Sequence, residues 1–183
     1  MNKFKLDKKD CALVIIDLQE RLMGAMKDRE KVYKNTRILL AAARQLNLPV
    51  FLSEQYPRGL GATVSEIKES LPETYQYMEK VSFSCCTETG NEMFAGLGRK
   101  NLLITGSETH VCVFQTVRDL LAVGYNVHLI KDAVCSRFDE NYQNALDLMR
   151  DMGAVVTNTE TVVFDLLQAA GTPDFKVISP LVK

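Results

Sequence analysis

Short runs of consecutive apolar residues alternate along this chain with longer stretches in which apolar residues return every three or four positions. Residues 11–17 (CALVIID) are apolar or small up to the terminal aspartate, the pattern of a strand covered on both faces. Residues 30–47 then place Val32, Leu39, Leu40, Ala43 and Leu46 on one side of a helix. Residues 49–53 and 101–106 predict a second and a third strand, the latter leading into a helical pattern from about His110 to Val123 that stops at Gly124. Residues 126–130 read as a strand, 140–152 as a helix ended by Gly153, 154–157 as a strand, and 161–170 as a helix closed by Gly171 and Pro173. Repeated strand and helix units predict a mainly parallel sheet between helices, a three-layer α/β/α sandwich. The one irregular region, residues 54–98, is expected to hold a short extra strand and to supply a wall of any site.

Length and composition narrow this picture. A chain of 183 residues suits one domain, 1–183, and neither an internal repeat nor a linker rich in Pro, Gly or Ser divides it. With 46% hydrophobic and 25% charged residues the chain is expected to fold on its own. A net charge of -1 supplies no basic field for phosphates, so no nucleic-acid partner is expected. The first ten residues lack the apolar core of a secretion signal and no run reaches the ~18 residues of a membrane span, which predicts a cytoplasmic protein without a membrane partner. Five cysteines without an export signal point to free thiols rather than a disulfide framework.

In open parallel sheets ligands bind beyond the carboxyl ends of the strands, where the winding reverses. The residues at such tips are Asp17 to Glu20, Glu54 to Tyr56, and Ser107 to Cys112. Cys112 stands where a strand gives way to a helix, whose free N–H groups and partial positive charge lower a thiol pKa and hold an oxyanion. Equally, cysteine is a small apolar residue that packs under helices. Asp17 can accept a thiol proton, or can open a capping box with Glu20. Lys80 can favour a thiolate, or can be a solvated surface lysine.

Taken together, four ordered segments carry a family resemblance: Val14-Ile15-Ile16-Asp17-Leu18-Gln19, with its strand-end Asp-x-Gln; Ser53-Glu54-Gln55-Tyr56-Pro57-Arg58-Gly59-Leu60-Gly61; Lys80-Val81-Ser82-Phe83-Ser84; and Gly106-Ser107-Glu108-Thr109-His110-Val111-Cys112-Val113. From Asp10 onward the chain resembles isochorismatase-like cysteine hydrolases, most closely their isochorismatase domain-containing branch. The resemblance implies a Rossmann-like central sheet and a catalytic Asp17, Lys80 and Cys112. It further implies a cis peptide before Glu108 and an oxyanion hole built from the backbone N–H groups of Glu108 and Cys112. The mechanism that follows has Asp17 as base, Lys80 and the helix terminus stabilising the thiolate, and a covalent Cys112 intermediate on a small-molecule amide, imide or ester. Gln19, Tyr56 and Phe83 are candidate substrate contacts.

Nicotinamidases of this superfamily hold a metal just after the second strand. Here that place reads Glu54-Gln55-Tyr56-Pro57-Arg58 without a histidine, so no metal is expected. Of the two histidines, His110 is placed beside the cleft and His128 in a strand. The pair Cys85-Cys86 lacks the C-x-x-C spacing and reads as two ordinary loop thiols. Neither a dinucleotide fingerprint nor a Walker A motif is present, and no cofactor is expected. Two other readings stand beside the amide or ester hydrolase: vinyl ether cleavage of the isochorismatase type, whose family members tend to lack the cysteine, and a binding module that keeps the fold without turnover. A homo-oligomer is expected, as relatives commonly form one.

Overall fold

A computed structural model describes residues 3–183. In chain order the elements are β1 (Cys11–Ile16), α1 (Glu20–Gly24), α2 (Arg29–Leu46), β2 (Val50–Gln55), α3 (Pro57–Leu60), α4 (Ser65–Lys68), β3 (Gln76–Lys80), α5 (Glu88–Gly96) and β4 (Asn101–Ser107). A five-residue π-helical turn, Thr109–Val113, then runs into α6 (Phe114–Ala122), followed by β5 (Asn126–Cys135), α7 (Asp139–Asp151), β6 (Val155–Thr157), α8 (Thr159–Leu167) and α9 (Pro173–Ile178).

The strands form one parallel sheet in the order β3-β2-β1-β4-β5-β6. The chain winds outward from β1 through β2 to β3, then returns to the other side of β1 and winds outward again, so the reversal falls between β1 and β4. β1 is central and carries the alternation of a strand with two buried faces. Leu13 and Ile15 pack with α2, α8 and α9, whereas Ala12, Val14 and Ile16 pack with α5, α6 and α7. Burial of each leucine, isoleucine or valine among them contributes about 1.5–3 kcal/mol, and the Phe51 and Phe94 rings, stacked at 4.6 Å, anchor α5 against β2.

Three regions depart from the sequence reading, one of them the chain after Pro173, which forms α9 where no further helix is predicted. Residues 54–98 hold not only β3 but also α5 and two short helices, α3 and α4. β3 is an edge strand whose exposed and buried positions alternate, with Met78 and Lys80 inward, so a single apolar residue marks its covered face. β5 runs to Cys135, five residues past the predicted end, across a bulge against β4 between Ile104 and Gly106. Lys131 and Asp132 hide that extension in the sequence. Asp132 is nevertheless built in, because its carboxylate accepts the Thr159 backbone N–H at 2.8 Å and hydroxyl at 2.9 Å at the start of α8. Among the described residues no helix is long and apolar enough to cross a membrane.

Candidate active site

The apolar run of β1 ends at Asp17, which is fully buried in a left-handed conformation, φ 50°. For an L-residue that geometry costs on the order of 1–2 kcal/mol, and the surroundings hold it in place. The Asp17 backbone N–H donates to the Ser53 carbonyl at 3.1 Å, and its carbonyl accepts the Ser107 hydroxyl at 2.9 Å. Its carboxylate receives Ser53 Oγ on Oδ1 at 2.7 Å and Lys80 Nζ on Oδ2 at 2.6 Å. β1 is thereby stitched to both neighbouring strands at the reversal point. β4 must approach β1 closely there: a Cβ on Gly106, φ 137°, would lie 2.1 Å from the Ile16 carbonyl oxygen.

Lys80 closes β3, and its side chain reaches across the end of β2 to Asp17. The side chains of this ion pair are 1% and 0% exposed. Nζ also donates to Gln55 Oε1 at 2.8 Å, to the Phe83 carbonyl at 2.9 Å and more loosely to the Ser82 carbonyl at 3.3 Å. Gln55 is itself fixed by its amide nitrogen, which donates to the Val81 carbonyl at 2.7 Å. Burial is the largest single influence and disfavours the ammonium, but the opposing interactions, led by the Asp17 carboxylate, together raise the Lys80 pKa, so the lysine is charged.

Cys112 is the fourth residue of the π-helical turn and is buried. Its thiol lies within electrostatic reach of Asp17 and Lys80. Burial and the negative charge of Asp17 push the thiol well above its ordinary range, and Lys80 opposes them without prevailing. Lys80 thus lowers the thiol as the sequence reading expects, but burial and Asp17 outweigh it, and the net shift is upward rather than downward. In the resting site the sulfur carries its proton.

The structure thus brings Asp17, Lys80 and Cys112 to one point. Beside them the Ser107–Glu108 peptide is cis. Glu108 is buried, its carbonyl accepts the N–H groups of Val111 and Val113 at 3.0 and 3.3 Å, and its carboxylate accepts the Arg137 backbone N–H at 3.1 Å and Nε at 3.0 Å. Gln19 is fully buried and turned to the backbone: Nε2 donates to the carbonyls of Gln55 and Gly61 at 3.1 and 2.7 Å, and Oε1 accepts the Gln55 N–H at 2.7 Å. Its amide secures the loop after β2 and holds no group toward the opening. Tyr56 and Phe83 are about half exposed, on the loops that follow β2 and β3.

His110 is half-buried, with Nδ1 3.0 Å from Ser136 Oγ and Nε2 3.4 Å from the Asn141 amide nitrogen. His128 is buried in β5, far from a ligand role, and burial lowers its pKa. Glu54, at the place of the nicotinamidase metal, gives Oε1 to the Thr63 N–H and hydroxyl, both at 2.7 Å, and Oε2 to the Tyr77 hydroxyl at 2.8 Å. Among the described residues no group of three or more His, Cys, Asp or Glu is arranged to hold a metal ion.

Three residues of the site escaped the sequence reading. Gln55 and Ser53 sit at the tip of β2, where the strand-end rule already pointed. Cys85, taken for an ordinary loop thiol, is fully buried and donates from Sγ to Ser53 Oγ at 3.5 Å, one group away from Asp17. Nothing in the spacing of Cys85-Cys86 signals that position, because the loop after β3 folds back only in three dimensions.

Comparison with known proteins bears on the family and the fold. The isochorismatase domain model matches residues 11–161. The secreted isochorismatase effector Isc1 of Phytophthora sojae is 39% identical over 175 residues, covering 93% of this chain and 83% of that one. The solved structure of the MAR1 ribonuclease from Caenorhabditis elegans superposes with a TM-score of 0.92 at 35% identity, over 97% of this chain and 92% of that one. That of the YcaC gene product of Escherichia coli, an octameric hydrolase of unknown specificity, superposes with a TM-score of 0.85 at 26% identity, over 90% and 83%. On its sequence, its sheet and these likenesses, the chain belongs to the isochorismatase family of hydrolases.

Proposed function

We propose that the protein is a cysteine hydrolase that cleaves a small-molecule amide, imide or ester through a covalent intermediate on Cys112. The single observation that carries this reading is the buried Asp17–Lys80 ion pair with the buried Cys112 thiol under its electrostatic influence. A protonated thiol is a weak nucleophile, so the proton must leave as the sulfur attacks. Asp17 takes it while the S–C bond forms, and the negative charge developing on the carbonyl oxygen falls to the backbone N–H groups of Glu108 and Cys112. Asp17 then returns the proton to the departing nitrogen or oxygen. Water attacks the acyl-enzyme, gives its proton to Asp17, and the collapse expels the Cys112 thiolate, which recovers that proton. Lys80 holds the Asp17 carboxylate by its ion pair between these steps and offsets negative charge on the sulfur.

The names of two relatives offer other substrates. RNA, from the ribonuclease of C. elegans, meets a chain of net charge -1 here, without the basic field that phosphates require. A vinyl ether, from the isochorismatase effector, needs a proton donor and gives the thiol no part to play. The octamer of the E. coli protein supports a homo-oligomer.

A panel of small amides, imides and esters tests the reading, with the Cys112 peptide followed by mass spectrometry. An acyl adduct on Cys112, and hydrolysis that disappears in Cys112→Ala, are expected. Hydrolysis that survives Cys112→Ala rejects the nucleophile, and a panel without either adduct or turnover favours the binding module.

A further inference from the structure

Asp17 has two carboxylate oxygens, and they face partners of different kinds. Oδ2 meets the Lys80 ammonium, which can only donate. Oδ1 meets the Ser53 hydroxyl, which can donate or accept, and behind it stands the Cys85 thiol, which can do the same. Asp17, Ser53 and Cys85 are all completely buried, so water cannot re-solvate the carboxyl when its charge changes. A buried carboxyl that cycles between ionised and neutral forms would face a wrongly directed hydrogen in one of them if its partner were fixed, and an unpaired buried polar group costs about 1–3 kcal/mol.

The Ser53 hydroxyl removes that conflict by rotating. With Asp17 ionised the chain of donors runs from Cys85 S–H to Ser53 Oγ, and from Ser53 O–H to Asp17 Oδ1, as the structure shows. With a proton on Oδ1 the chain reverses: Asp17 O–H donates to Ser53 Oγ, and Ser53 O–H turns to Cys85 Sγ. Ser53 and Cys85 keep their own protons throughout, and the proton on Asp17 is the one taken from Cys112 or from water. Both outer groups are fixed for this role. Ser53 pairs with the end of β1 and accepts the Asp17 N–H on its carbonyl, while the Cys85 N–H donates to Thr116 Oγ1 at 3.0 Å and its carbonyl abuts Gly90. Burial, with the charge of Asp17, raises the Cys85 thiol to about 11, which keeps it a neutral donor and acceptor.

We propose that Ser53, backed by Cys85, is a positioning residue that satisfies the Asp17 carboxyl in both its ionised and its protonated form, and so lets one buried group serve as base and then as acid. This rests on the hydrolase reading above. The test is the rate of Cys112 alkylation by iodoacetamide against pH, followed on the Cys112 peptide of the full-length protein. Alkylation assisted by Asp17 should give a pH-independent plateau at lower pH, and free thiolate a limb that rises with pH toward the titration of the thiol. Ser53→Ala should lower the plateau about tenfold, the worth of one hydrogen bond, and leave the rising limb in place, since free thiolate needs no proton transfer to Asp17. Ser53→Thr should restore the plateau, Cys85→Ala should lower it less than Ser53→Ala, and Cys85→Ser should keep it. A purely structural role would move both limbs together or neither. A plateau unchanged in Ser53→Ala overturns the inference, and one lowered in Ser53→Ala but not in Cys85→Ala overturns its second link. Asp17→Asn separates the two levels: if it leaves the plateau intact, or if the wild type has none, the general-base reading itself fails.

Discussion

Replacing Lys80 by methionine keeps most of the side-chain volume and removes the ammonium. Four oxygen partners lose their donor, three of them within 2.9 Å, and Asp17 is left as a buried carboxylate without its counter-charge. Breaking a buried pair from one side costs about 3–5 kcal/mol, which for a domain of this size lowers the melting temperature by about 6–20 °C. The assay is urea unfolding at a fixed protomer concentration, so that any oligomer contributes equally to each variant. In Asp17→Asn with Lys80→Met the uncompensated charge is gone, and the double variant should be less destabilised than the sum of the single ones by about 2 kcal/mol or more. The pH dependence has a definite sign. The folded-state pKa of Lys80 lies above its ordinary value of 10.5, so its contribution is complete below that pH and is lost as pH rises through the folded value. The gap between wild type and Lys80→Met should therefore narrow only in strong alkali. A loss below about 1 kcal/mol at neutral pH, the worth of an exposed pair, would refute the argument that this pair is desolvated.

Asp17→Asn removes the charge that helps to hold the Cys112 thiol high, so its alkylation limb should move to lower pH even as hydrolysis is lost, whereas Lys80→Met should move it higher; opposite movements would contradict the electrostatic arrangement. Gly106→Ala should yield little folded protein on expression, since its Cβ would strike the Ile16 carbonyl in a backbone conformation that L-residues rarely adopt; a variant with wild-type melting would show that β4 can move away from β1.

The strands and long helices were legible because burial imposes periodicity. The six-residue β1 run is apolar throughout because both of its faces are covered, and α2 shows its stripe because one face is. β3 was not, since an edge strand with Met78 as its one apolar inward residue has hardly any pattern to show. Among the site residues, Asp17 and Cys112 were marked by strand ends, and Lys80 only by the family resemblance. Gln19 has the right neighbourhood but the wrong direction, its amide being turned to the Gln55 and Gly61 backbone.

The sequence by itself determined the alternation of strand and helix, and hence the parallel sheet and the rim where chemistry sits, since these follow from hydrophobic period and chain direction. Only the tertiary structure decided the protonation of the site and its supporting cast. The state of Cys112 depends on how deeply it is buried and on a carboxylate 95 positions earlier in the chain (112 − 17) outweighing an ammonium. Cys85 becomes a partner of Asp17 through Ser53 because the loop after β3 folds back beneath the site. Desolvation and charge are properties of position in space, and sequence spacing does not encode them.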